Sequence, residues 1–173
     1  MGSSYRSSPS VISPPRSFSV VKLGGEHREM WQHFCETSGV FLQLEDGQIV
    51  DREHDFSWEL VSPFRFVFGI FNVGELIGFV RFEVKGTLHL EVHLGIAPEG
   101  RGRKMLGVLE EVTRQMKAQS ANSPVMLEAV IPSCNKGARM MALWAGMKPV
   151  GLVPHCWLKD GQLWHKHIYA RTL

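Results

Sequence analysis

Two ionisable side chains, Glu91 and His93, stand just ahead of a basic, glycine-bearing stretch, Pro98-Glu99-Gly100-Arg101-Gly102-Arg103-Lys104. On a strand, residues two apart share a face, so this pair can act on one reacting group. An imidazole ordinarily titrates near neutrality, which makes His93 the first candidate for a general base. Glu91 is either the base itself or the group that orients His93. The plainer alternative is that both are polar residues on the wetter face of a strand. The stretch that follows offers different chemistry. It ends where a helical pattern begins, and the first N–H groups of a helix have no internal partner and point out of its positive end. A diphosphate is held well at such a place. Gly102 permits close approach to the backbone, while Arg101, Arg103 and Lys104 bring positive charge.

These residues need a framework. Ser17–Leu23 reads as a first strand, and Glu26–Thr37 as a helix closed by Gly39. Phe41–Pro63 is either a substrate-facing loop or a solvated connection with one short helix. Phe64–Phe71 and Glu75–Val84 form a hairpin around Asn72-Val73-Gly74. Lys85-Gly86 makes the next turn, and Leu88–Ile96 is a further strand. Met105, Val108, Leu109, Val112 and Met116 define the apolar face of a helix over Arg103–Ala118. Val125–Ile131 reads as a strand and Asn135–Ala145 as a helix that Asn135 caps and Gly146 ends. A last hairpin, Val150–Leu158 and Leu163–Arg171, turns at Asp160-Gly161. The expected fold class is α/β, a mixed and mostly antiparallel sheet with flanking helices. Met140, Met141 and Trp144 fall at helical spacing and are expected in the core. Phe64, Phe66, Phe68 and Phe71 belong to the core or the hairpin surface.

Pro98-Glu99-Gly100-Arg101-Gly102-Arg103 resembles the Pro-Glu-x-Arg-Gly-x motif of the Gcn5-related N-acetyltransferases. A second segment, Ile131-Pro132-Ser133-Cys134-Asn135 followed by Ala138 and Ala145-Gly146-Met147-Lys148, is similar to that family's strand-Asn-helix-Gly-Phe-Lys segment, with Met147 replacing Phe. The likeness runs from about Phe18 to the C-terminus. It implies the acyl-CoA N-acyltransferase fold, acetyl-CoA as acyl donor, and an amine acceptor on a protein or a small molecule. It further implies cofactor contacts from Leu94, Gly95 and Ile96, from Arg101, Gly102, Arg103, Lys104, Met105 and Leu106, and from Asn135. An oxyanion donor is expected at the main-chain N–H of Leu94 or Gly95, at a local bulge. Two departures stand out: Lys104 and Leu106 occupy positions usually held by glycine or alanine. The tyrosine that often protonates the leaving thiolate corresponds to Ala142, and neither Tyr5 nor Tyr169 lies in that segment. Cys134 is either a replacement acid or a small buried residue at a strand end. Glu91-Val92-His93 also looks like acetyltransferase-like proteins of tailed bacteriophages. That resemblance implies a non-catalytic assembly or virion component as the alternative to the enzyme.

Composition sets the outer limits. The 173 residues carry a formal net charge of +2, with 44% hydrophobic and 21% charged residues. That is the profile of an ordinary globular domain, and the charge is too weak and mixed to suggest a nucleic-acid partner. No apolar run approaches the roughly 20 residues of a membrane helix. Cys35, Cys134 and Cys156 are unpaired in spacing, so a reducing, cytoplasmic setting is expected, either of a cell or, for a phage protein, of its host or virion. Residues 1–16, rich in Ser and Pro, read as a disordered tail ahead of a domain spanning 17–173. His165, His167 and His155 could meet on the last hairpin, but no carboxylate completes a metal set there.

Overall fold

The computed structural model describes residues 18–40, 56–119 and 125–173. The expected tail, Tyr5 and most of the Phe41–Pro63 connection lie outside the described residues. A seven-stranded sheet runs in the order β1-β2-β3-β4-β5-β7-β6. Its strands are β1 (Phe18–Lys22), β2 (Arg65–Asn72), β3 (Glu75–Gly86), β4 (His89–Ile96), β5 (Met126–Pro132), β6 (Lys148–Lys159) and β7 (Gln162–Thr172). The helices are α1 (Arg28–Thr37), the short α2 (Trp58–Val61), α3 (Met105–Gln119) and α4 (Lys136–Trp144). Only β4 and β5 pair in parallel; every other neighbouring pair is antiparallel. The expected sheet class and order of elements are therefore found.

The hairpin turns follow from local chemistry. Val73 and Gly74 (φ 50° and 85°) and Asp160 and Gly161 (φ 52° and 73°) all take positive φ, as a two-residue turn matching strand twist demands. The following turn falls at Thr87-Leu88 rather than Lys85-Gly86, because β3 keeps its pairing through Gly86↔His89 past an irregularity. Helix α3 begins at Met105, two residues later than its apolar pattern suggests, because Pro98–Gly100 winds into a separate 3₁₀ turn first.

Strand alternation sends two apolar sets to opposite faces. Phe68, Ile70, Val80, Phe82 and Leu90 pack with Met105, Val108 and Val112 of α3. Val67 and Phe79 pack with Trp31 and Phe34 of α1 on the other face. Trp31 meets Phe79 edge-on at 5.0 Å and donates its indole N–H to the Phe56 carbonyl. Fully burying side chains of this kind contributes about 1.5–3 kcal/mol each. The sheet therefore carries a core on both faces, and β4 runs through its middle.

Met140 and Trp144 depart from expectation. Both are exposed, at 44% and 40%, while Ala142 between them is buried. Helical spacing identified a stripe but not the side it faces; Ala138, Ala142 and half-buried Met141 meet the core, while Met140 and Trp144 stand over a cleft. Gly78 is fixed by packing: a Cβ there would lie 2.7 Å from the Gly95 carbonyl oxygen on β4. Gly78→Ala should lower unfolding stability by about 1–3 kcal/mol through overpacking, measurable by chemical denaturation.

Candidate active site

The site begins where β4 and β5 part. Their parallel pairing covers only His89↔Met126, Leu90↔Leu127 and Glu91↔Glu128. Beyond it β4 continues beside β3 to Ile96, and β5 continues beside β7 to Pro132. The Ala97 N–H bonds the Ile77 carbonyl, and the Met126 N–H bonds the Leu88 carbonyl. With main-chain groups alternating along a strand, odd-numbered β4 residues face β3 and even-numbered ones face the gap. Leu94 and Ile96 thus present N–H groups to the gap, whereas Gly95 points its N–H at β3. Of the two residues named from sequence for an oxyanion donor, Leu94 therefore turns its N–H to the gap and Gly95 does not. The expected bulge is not there: the β3–β4 register is regular from Gly78↔Ile96 to Val84↔Leu90. Divergence from β5, not a bulge, exposes the edge. By the same alternation Pro132 faces the gap from β5, where its missing N–H disrupts no ladder.

The basic loop closes one end of this gap. Arg101, Met105 and Leu106 already spend their N–H groups on the carbonyls of Pro98, Gly102 and Arg103. That leaves the N–H groups of Gly102, Arg103 and Lys104 without a main-chain partner among the described residues, a narrower set than the sequence implied. Gly102 sits at φ 106° with open space where a Cβ would be. Arg101 and Gly102 line a cleft of about 720 Å³ together with Leu94, Gly95, Ile96 and Asn135. Met105 also lines it, but Arg103, Lys104 and Leu106 do not. Lys104 turns away to donate to the Glu99 carbonyl, so its side chain does not crowd those N–H groups. Arg103 places its guanidinium 5.0 Å from the Trp144 ring at the cleft wall. Asn135 caps α4 by accepting the Ala138 N–H at 3.0 Å, as expected. Cys134 is half-buried and lines the cleft; the turn at Ser133-Cys134 that leads into α4 carries it to the surface of the opening, so it is not the buried strand-end residue allowed for.

Glu91 and His93 project to one face, with Glu91 Oε1 3.4 Å from His93 Nε2. Sequence reasoning missed what surrounds them. Lys85 Nζ lies 3.0 Å from both Glu83 and Glu91, Arg65 reaches Glu83 at 3.5 Å, and Arg65 and Arg81 both donate to Glu59. Glu59 is only 3% exposed. The signal was present in the alternation Arg81, Glu83, Lys85 along an otherwise apolar strand: three charges on one face need partners. The register sets Arg81 opposite His93 and Glu83 opposite Glu91. Burial, and then the Arg81 guanidinium, push the His93 imidazole down from 6.5 to about 4, against the pull of Glu91 and Glu83. His93 is therefore neutral at pH 7, a weaker base than its ordinary pKa suggested, with a buried Nε2 that makes no hydrogen bond.

On the last hairpin His155 and His165 pack edge-on at 4.6 Å, and the His155 N–H donates to His165 Nδ1. Among the described residues no three His, Cys, Asp or Glu side chains group as metal ligands. No helix there is long and apolar enough to cross a membrane.

The burial of His93 has a measurable consequence. Between pH 6.5 and 4 the unfolded chain takes up a proton that folded His93 refuses, so stability falls as pH drops through that window and levels off below it. The component is at most about 3 kcal/mol. His93→Gln should flatten this part of a stability–pH profile measured by urea unfolding; an unchanged slope would place the titration elsewhere.

No protein-family model matches the sequence, and no curated protein matches it. Solved structures do. An acetyl transferase from Salmonella typhimurium that modifies the N-terminal serine of a 50S ribosomal subunit protein superposes with a TM-score of 0.72 at 11% identity, covering 92% of this chain and 96% of that one. Spermidine N-acetyltransferase from Vibrio cholerae, in complex with CoA and spermine, gives a TM-score of 0.73 at 12% identity over 91% and 96%. The microcin C7 self-immunity acetyltransferase, in complex with acetyl-CoA and AMP, gives 0.71 at 11% identity over 96% and 98%. At these identities the likeness establishes the fold: this chain has the acyl-CoA N-acyltransferase architecture over nearly its whole length.

Proposed function

We propose that the chain is an N-acetyltransferase that moves the acetyl group of acetyl-CoA directly to a primary amine of a protein or small molecule. The observation that carries this reading is the open edge of β4, with the N–H groups of Leu94 and Ile96 facing a gap that β5 has left. An unpaired strand edge inside a fold is costly unless something bonds it. The pantetheine arm of CoA brings two amides that can take the place of a strand. The cradle of Gly102, Arg103 and Lys104 N–H groups suits its diphosphate, with Arg101 beside it. The neighbouring structures with CoA or acetyl-CoA bound support the same donor.

In this reading the thioester lies beside Leu94, whose N–H stabilises the oxyanion formed as the amine attacks. Neutral His93 accepts the proton the amine loses. Glu91, 3.4 Å away, stabilises the imidazolium so formed, and Lys85 holds Glu91 in place. The buried position of Ala142 offers no acid to the departing thiolate. A thiol with a pKa of about 8.5 leaves as a thiolate at small cost, and Cys134 at the cleft can return a proton. The acceptors named for the similar structures, a protein N-terminus and a polyamine, support an amine without choosing between the classes. Free cysteines agree with a reducing, cytoplasmic setting. No observation favours the non-catalytic phage component, because the gap is open and the basic loop intact.

Acetyl-CoA should raise the melting temperature of the purified protein. At 100 times the dissociation constant the stabilisation is about 2.7 kcal/mol, and no shift at millimolar donor would refute the reading. Against a panel of primary amines, His93→Ala should lower turnover about 100-fold or more if the imidazole is the base. Equal rates in the two proteins would remove it from that role.

A further inference from the structure

The register divides the side chains around the gap between the two faces of the sheet. Residues paired across strands share a face, and alternate residues along a strand return to it. Leu90, Leu94, Leu127 and Ile131 look toward α3 and its core. Glu91 and His93 on β4 look the other way, and so do Pro132 on β5 and its partner Lys166 on β7. Trp157 of β6 joins them, with Lys166 Nζ 4.8 Å from the centre of its ring. These five residues all border the gap. Neither Trp157 nor Lys166 borders the cleft beside Arg101 and Gly102, so they are not part of the basic loop's surroundings.

The charges around His93 are matched. Lys85 bonds Glu83 and Glu91, and Arg65 and Arg81 share Glu59. Glu128, on the same face of β5, lies 3.5 Å from His89. It stands four residues from Pro132 along the strand. That is about 13 Å at the usual rise. Lys166 has no carboxylate partner among the described residues; its neighbour is the Trp157 ring. The Trp157 indole N–H is buried and makes no hydrogen bond there either. An ammonium and an indole N–H can only donate. Two neighbouring donors without an acceptor suit oxygens that a ligand brings.

Resting on the acetyltransferase reading above, we infer that the acceptor is a small amine that also carries an anionic oxygen group, a carboxylate or a phosphate, bound by Lys166 and Trp157 across the gap from His93. Its amine faces His93 and Glu91, and its anionic end takes the Lys166 and Trp157 donors. Lys166 and Trp157 therefore set acceptor specificity. A polyamine is disfavoured, because its second positive charge would meet Lys166.

The test measures initial rates of the whole protein at saturating acetyl-CoA. The acceptors are ω-amino acids from glycine to 6-aminohexanoate, aminoalkyl phosphates, and the matching alkylamines and diamines. The best anionic acceptor should exceed its alkylamine in kcat/KM by about tenfold or more, the worth of one hydrogen bond to a charged group. The faster anionic series identifies the group. Lys166→Met should bring that ratio toward one by raising KM, and Lys166→Arg should keep it. Lys166→Glu should turn the preference to diamines. Trp157→Phe keeps the ring and should lose part of the preference. Circular dichroism checks the fold of each variant, and any one folded Lys166 variant suffices. Alkylamines or diamines acetylated as fast as the anionic acceptors would overturn the acceptor class and leave the acetyltransferase reading standing. Acetyl-CoA binding with turnover of none of these amines would do the same. A preference that survives both Lys166→Met and Trp157→Phe would overturn the role of these side chains. No binding of acetyl-CoA would overturn both readings.

Discussion

Strands β4 and β5 are partners for three residue pairs and strangers afterwards, and the site is a consequence of that divergence. Each strand keeps its outer neighbour, so neither is free to collapse onto the other. β4 remains in register with β3 to Ile96, and β5 remains with β7 to Pro132. The backbone edges between them cannot be satisfied by the sheet, and a buried edge must find hydrogen bonds somewhere. The same divergence leaves room for α3 and α4 to wall the cleft. Proline at position 132 fits this arrangement, since it faces the gap where no ladder bond is made.

The opposite face of β4 is governed by charge. Glu59, Arg65, Arg81, Glu83, Lys85 and Glu91 form a chain of alternating sign that ends at His93. Buried ion pairs of this kind add little net stability, because desolvation offsets attraction, but removing one member strands another. Their effect here is positional and electrostatic. Burial and then Arg81 oppose protonation of His93 and outweigh the pull of Glu91, so the imidazole is neutral at pH 7. Burial is the largest influence on His93, which ties its chemistry to the packing of the sheet and α1.

The sequence was most legible where the physics is local. Val73-Gly74 and Asp160-Gly161 announced their hairpins because few residue pairs tolerate positive φ. The Gly102 loop became specific only through its likeness to a known motif, since glycine and basic residues are common at strand-to-helix junctions. Asn135 was legible as a cap because its side chain readily accepts a first-turn N–H. What stayed hidden depends on distant partners. The spacing of Met140 and Trp144 is the same whether they face the core or a cleft, and only the position of α4 decides it. The lowered pKa of His93 needs burial and a cross-strand arginine, neither visible along one strand. Glu59 lies on a short helix beyond an uninformative stretch, yet its two arginines hold it beneath the site. The parting of β4 and β5 is encoded by no residue along either strand alone.

On the proposed reading, the main-chain amides of Leu94 and Ile96, with those of Gly102, Arg103 and Lys104, are open in the free protein and bonded when donor is present. Hydrogen–deuterium exchange resolved to single amides, with and without saturating CoA, addresses it directly. Exchange at these five positions should be fast without CoA and slow sharply with it, while Gly95, already bonded to β3, changes little. Protection confined to other parts of the chain, or slow exchange at Leu94 and Ile96 before CoA is added, would contradict the account.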